Sequence, residues 1–129
     1  MAHISRIKTS LAPAAIGPYS QGVLAGDTLY VSGQIAIDPE TGSLVTGTIE
    51  EEAERVLENV GAVLQGASMT FENVVQCTVY LTDVNDYATV NEVYARYFSA
   101  APPAREAVPI TGLPRGARLE ISCIAVKTK

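Results

Sequence analysis

Apolar residues recur at steps of three and four through residues 49–66: Ala53, Val56, Leu57, Val60, Val63 and Leu64, with Ala67 just beyond. This spacing lays one apolar stripe along a helix and predicts an α-helix over that span. Thr48 and Glu51 form a capping box at its start, and Gly66 marks its end. Glu50, Glu51, Glu52 and Glu54 fall where the helix dipole favours negative charge, so the acidic run reads as a solvated helix start rather than a cation site. Residues 73–82 switch to a period of two. Val75, Cys77, Val79 and Leu81 face one way and Gln76, Thr78, Tyr80 and Thr82 the other, as in a strand with one apolar face. The helical period returns at about 84–98, with Tyr87, Val90, Tyr94, Tyr97 and Phe98 on the buried side, Asn91 at its edge and Asp83 as a candidate cap.

Short strands flank these elements. VLAGDTLYVSGQ carries two of them around Gly26-Asp27, where glycine permits the tight hairpin turn, and DPETGS is a turn. Toward the carboxyl end, strands at 104–110 and 117–126 flank a loop at 111–116 and read as a second hairpin. The order ββ, α, β, α, ββ predicts an α+β fold: a two-layer sandwich of a mixed β-sheet with two helices on one face. Two helices leave the other sheet face open, which predicts closed homo-oligomerisation.

The 129 residues fit one domain, residues 1–129. With 47% hydrophobic and 18% charged residues and no apolar run near the length of a membrane span, the chain reads as a soluble globular protein with no membrane partner. The start MAHISRIKTS lacks the apolar core of a secretory signal, so a cytoplasmic location is the expectation. A net charge of −5 argues against nucleic acid as a partner, because phosphate binding draws on clustered Lys and Arg. Cys77 and Cys123 sit within apolar strand patterns and read as buried packing residues rather than a disulfide. The common reactive sets are missing: the single histidine, His3, has no paired nucleophile, and no CxxC, P-loop or GxGxxG is present. No metal site is expected.

One cation stands out in this acidic chain. If the last two strands pair, Arg105 in PPAREAV falls opposite Glu120 in RLEISCIAV, on the sheet face that the helices leave open. Two readings follow: an exposed cross-strand salt bridge of little worth, or an anion site in which the guanidinium grips a carboxylate and Glu120 holds or deprotonates a water. IGPYSQG presents Tyr19 on a Gly-Pro turn, and VSGQIAIDP breaks a strand at Ser32-Gly33, where backbone groups reach toward a ligand.

Taken in order, IGPYSQG, LYVSGQIAIDPETG, VQCTVYLTDVNDYATVNEVYARYF, PPAREAV and LPRGARLEISCIAV resemble the YjgF/RidA family of reactive intermediate/imine deaminases over roughly residues 5–127. The resemblance implies a chorismate-mutase-like α+β fold assembled as a homotrimer, with ligand sites in the clefts between subunits. It implies hydrolysis of 2-aminoacrylate, 2-iminopropionate and related enamines or imines, by-products of pyridoxal-phosphate enzymes, to 2-keto acids and ammonia. No cofactor is implied. Carried over by position, Arg105 matches the family's carboxylate-binding arginine and Glu120 the acid that positions water. Tyr19, Ser32, Gly33 and Asn91 match pocket-lining residues. Ala107 departs from the pattern, since many members carry cysteine there. The alternative within the same fold is a non-enzymatic binder of small carboxylates, which would keep Arg105 without needing Glu120.

Overall fold

The computed structural model describes residues 3–128 and contains six strands: β1 (Ile4–Ile7), β2 (Gly22–Ala25), β3 (Thr28–Gln34), β4 (Val74–Leu81), β5 (Ala104–Pro109) and β6 (Leu119–Val126). Helices α1 (Ile49–Gly66) and α2 (Tyr87–Tyr97) complete it. The strands form one mixed sheet in the order β1-β2-β3-β6-β4-β5, antiparallel throughout except for the parallel pair β4 and β5. Helix α1 spans the predicted residues, and its capping box is present: Thr48 Oγ1 accepts from the Glu51 amide at 3.1 Å while Glu51 Oε1 accepts from the Thr48 amide at 3.1 Å. Helix α2 is shorter than its apolar pattern suggested, because a 3-10 turn at Val84–Asp86, capped by Asp83, takes the first residues.

The core lies between the sheet and both helices. Leu29 and Val31 of β3, Cys77, Val79 and Leu81 of β4, and Leu119, Ile121 and Cys123 of β6 meet Val56, Leu57, Val60, Val63 and Leu64 of α1 and Val90, Val93 and Tyr94 of α2. Each aliphatic side chain so buried contributes about 1.5–3 kcal/mol. Both cysteines are free and buried, as their apolar neighbours predicted.

The predicted terminal hairpin does not form. Helix α2 returns the chain parallel to β4, so β5 takes the outer edge, and β6 then enters between β3 and β4. Side-chain character explains the choice. Leu119, Ile121, Cys123 and Ala125 of β6 are all buried and need neighbours on both sides, whereas β5 exposes Ala104, Glu106, Val108 and Pro109, and proline belongs on an edge. Two further expectations change. A register shift between Val74 and Gln76 puts Val74 in the core and leaves Val75 exposed, reversing its predicted face. Strand β1, outside every element predicted above, pairs with β2 and widens the sheet.

The acidic helix start is only partly solvated. Glu50 and Glu54 pair with Arg96 of α2 at 2.9 and 3.0 Å on the surface. Glu52, by contrast, is 2% exposed and turns inward, where Oε1 accepts from Arg118 Nε and Oε2 from the Arg118 backbone amide, both at 2.7 Å. This pair ties α1 to the start of β6. Arg118→Met would leave a buried carboxylate with a single backbone donor and is expected to cost about 3 kcal/mol. A urea titration with an unchanged midpoint and slope would contradict that expectation.

Candidate active site

The open face and the loops at one end of the sheet bring four predicted residues together. Tyr19, Ser32, Gly33 and Glu120 line a cavity of about 640 Å³ with Gln21, Gln34, Ile35, Ile37, Pro114 and Arg115 among the other walls. This volume suits a small metabolite. The floor is set by β3 and β6. A register irregularity between Val31 and Gln34 swings Ser32-Gly33 out of the regular ladder, and Glu120 rises from the next strand directly against Gly33. A Cβ placed on Gly33 would lie 2.5 Å from Glu120 Oε2, so only glycine lets the carboxylate sit there. Burial pushes the Glu120 carboxyl above the ordinary glutamate range, because the ionised form loses solvation.

The remaining walls are held by polar clamps that periodicity does not reveal. Gln21 is buried, and its amide donates to the carbonyls of Thr9, Ala12 and Pro13 while its Oε1 accepts from the Thr9 amide at 2.7 Å. The Ser32 hydroxyl donates to the Ser20 carbonyl, and the Ser32 amide donates to the Gln21 carbonyl at 3.0 Å, which fixes the turn presenting Tyr19. On the opposite wall, fully buried Asn59 of α1 donates to the carbonyls of Ile35 and Ile37 at 3.0 and 2.8 Å. Arg115, not singled out in the sequence, sits at φ 60° in the left-handed region, where non-glycine residues are uncommon, and its guanidinium donates to the Gly42 carbonyl at 3.1 Å.

Arg105 is not in this cavity. It stands opposite Cys77 of β4, on the helix face, whereas Glu120 stands opposite Tyr80, on the open face. The predicted cross-strand approach of the two is therefore overturned by β4 lying between their strands, and no Arg105–Glu120 salt bridge exists. Arg105 instead meets α2: Nη1 donates to Asn91 Oδ1 at 2.6 Å and Nη2 to Tyr87 Oη at 2.7 Å, with the guanidinium 4.8 Å from the Tyr94 ring centroid. Tyr87, expected in the core, is 37% exposed and turned toward the arginine. Arg105 and Asn91 border a second cleft, of about 610 Å³, with Tyr94, Phe98, Pro102 and Pro103. Ala107 stands opposite Val79 and packs against the core, lining neither cavity.

One chain thus carries two separate groups of residues: a half-buried carboxylate at the floor of one cavity, and an arginine held by α2 at a sheet edge. This is an α+β protein with an arginine and a half-buried carboxylate on separate surfaces. The family model described as endoribonuclease L-PSP matches residues 9–127, and the chain belongs to this family, the YjgF/RidA group that its motifs resemble. It is 52% identical over 121 residues to a Bos taurus protein named 2-iminobutanoate/2-iminopropanoate deaminase, covering 94% of this chain and 88% of that protein. A Rattus norvegicus protein of the same name is 54% identical over 121 residues, with the same coverage. Among solved structures, E. coli TdcF with bound serine superposes with a TM-score of 0.92 at 41% identity, covering 96% of this chain and 99% of that one.

Proposed function

We propose that the protein hydrolyses 2-iminopropanoate, 2-iminobutanoate and the enamines in equilibrium with them to 2-keto acids and ammonia. The observation that carries this reading is the Glu120 carboxylate, half-buried at the cavity floor against Gly33, where it can hold a water beside a bound imine. The names of the mammalian relatives, at about half identity over nearly the whole chain, support it. A non-enzymatic carboxylate binder would need Arg105 but gives no reason to bury Glu120 at some cost in solvation. The net charge of −5 runs against a polyanionic substrate, so RNA cleavage is not carried over from the family's description.

In this reading the two half-sites meet across a subunit boundary in a homotrimer. Tyr19, Ser32, Gly33 and Glu120 come from one chain, and Arg105 with Asn91 from its neighbour. The open sheet face, with Tyr30, Gln76, Thr78 and Tyr80 exposed or half-buried, supports such packing. Arg105 grips the substrate carboxylate through paired N–H donors. Glu120 takes a proton from water as its oxygen adds to the imine carbon and delivers that proton to the nitrogen, leaving a neutral carbinolamine. The carbinolamine then collapses: Glu120 takes the hydroxyl proton as the C=O bond forms, the C–N bond breaks, that same proton passes to the departing nitrogen to give ammonia, and the 2-keto acid remains. The imine is already electrophilic, so the contribution is chiefly placement of two reactants.

The test is decay of 2-iminobutanoate generated in situ. Wild type is expected to exceed the buffer rate, and an equal rate would sink the enzyme reading. The catalysed part should fall as pH drops, because Glu120 must be ionised, with a midpoint above the ordinary glutamate value of about 4.3. Glu120→Gln should lose that acid limb together with the activity.

A further inference from the structure

We infer that Tyr87 is a positioning residue whose hydroxyl holds the Arg105 guanidinium in the orientation that receives a substrate carboxylate. The inference rests on the carboxylate-anchoring role of Arg105 in the reading above. Tyr87, Asn91 and Tyr94 are spaced i, i+4 and i+7 on α2, so they form one stripe along the helix. Against Arg105 that stripe presents a hydroxyl at 2.7 Å, an amide oxygen at 2.6 Å and an aromatic face at 4.8 Å, with the Tyr87 ring itself 5.6 Å from the guanidinium carbon.

The chemistry of these partners matters. All of them are neutral, and no carboxylate within 4.0 Å pairs with Arg105 among the described residues. The cation is therefore oriented without being neutralised. A guanidinium has more N–H donors than the two spent on Tyr87 and Asn91, so a bidentate carboxylate can still bind while both contacts persist. A long side chain at an edge strand would otherwise lose rotamer freedom each time substrate arrives, and the stripe removes that cost in advance. The hydroxyl alone makes the difference at residue 87: phenylalanine would keep the ring and its packing but release Nη2.

Tyr87→Phe should raise KM about five- to tenfold with kcat unchanged, since pre-organised binding is lost equally from substrate and transition state. Binding of 2-ketobutyrate, followed by calorimetry, should weaken by the same factor. Tyr97→Phe is the control, because that hydroxyl bonds Glu58 Oε2 at 3.0 Å away from Arg105, and its constants should match wild type. A Tyr87→Phe protein with unaltered KM and keto-acid affinity overturns the inference, as does one in which kcat falls and KM holds. If wild type fails to hydrolyse imines yet binds 2-ketobutyrate in a Tyr87-dependent way, the proposed function fails and the positioning role stands. If wild type binds no keto acid and imines decay at the buffer rate, both fail.

Discussion

Arg105→Ala and Glu120→Ala, each inactive alone, should regain imine hydrolysis when the two proteins are dissociated, mixed and reassembled. The expectation follows from the sheet order. Arg105 lies opposite Cys77 on the helix face and Glu120 opposite Tyr80 on the open face, so one chain cannot present both to one small substrate. With Glu120 as the proposed acid–base group its loss should cost about 10²–10⁴ in kcat, and with Arg105 as the proposed carboxylate anchor its loss should weaken substrate binding. In a closed ring with sites between neighbours, random reassembly gives roughly a quarter of the sites one intact arginine and one intact glutamate. Stopped or continuous assays of imine decay would read that recovery directly. A reassembled mixture no more active than its components would overturn the shared site.

Gly33→Ala should abolish most of the activity while leaving the protein folded. A Cβ there would meet Glu120 Oε2 at 2.5 Å and Cδ at 2.6 Å, distances that real side chains do not hold. The carboxyl is the free end of a flexible side chain, so the clash is relieved by swinging it away rather than by breaking the sheet. Alanine also narrows the unfolded ensemble slightly, which offsets some of the strain. Displacing the carboxylate by about 1 Å or more is expected to cost on the order of 10²-fold in kcat/KM. The check pairs kinetics with a melting curve. Full activity would show that Glu120 does not work from this position, and a collapsed melting temperature would show that the glycine serves the fold instead.

Periodicity exposed what depends on a single element and missed what depends on which elements meet. Helix α1 was legible to the residue because its stripe, capping box and final glycine agree. The same run of glutamates hid Glu52, since helix spacing marks a position as facing the sheet but not that Arg118 waits there. At the carboxyl end sequence neighbours are not sheet neighbours, because the β4–α2–β5 crossover pairs β5 in parallel with β4 and leaves β6 to enter between β3 and β4. Tyr19, Ser32, Gly33 and Glu120 were recognisable from motif resemblance and do line one cavity. Tyr87 was assigned to the core by its place in the apolar stripe, because nothing in the pattern of one helix reveals an arginine on a strand beside it.

Gln21 has a consequence for how the cavity wall can change over time. The hydrogen bonds of its side-chain amide all go to main-chain atoms of Thr9, Ala12 and Pro13, so they recognise the path of that segment rather than its side chains. A substitution at Ala14, which follows that segment and lines the cavity, can alter the lip while the backbone trace stays put. One side-chain amide therefore leaves room for the lip to change its side chains without refolding the wall that carries them.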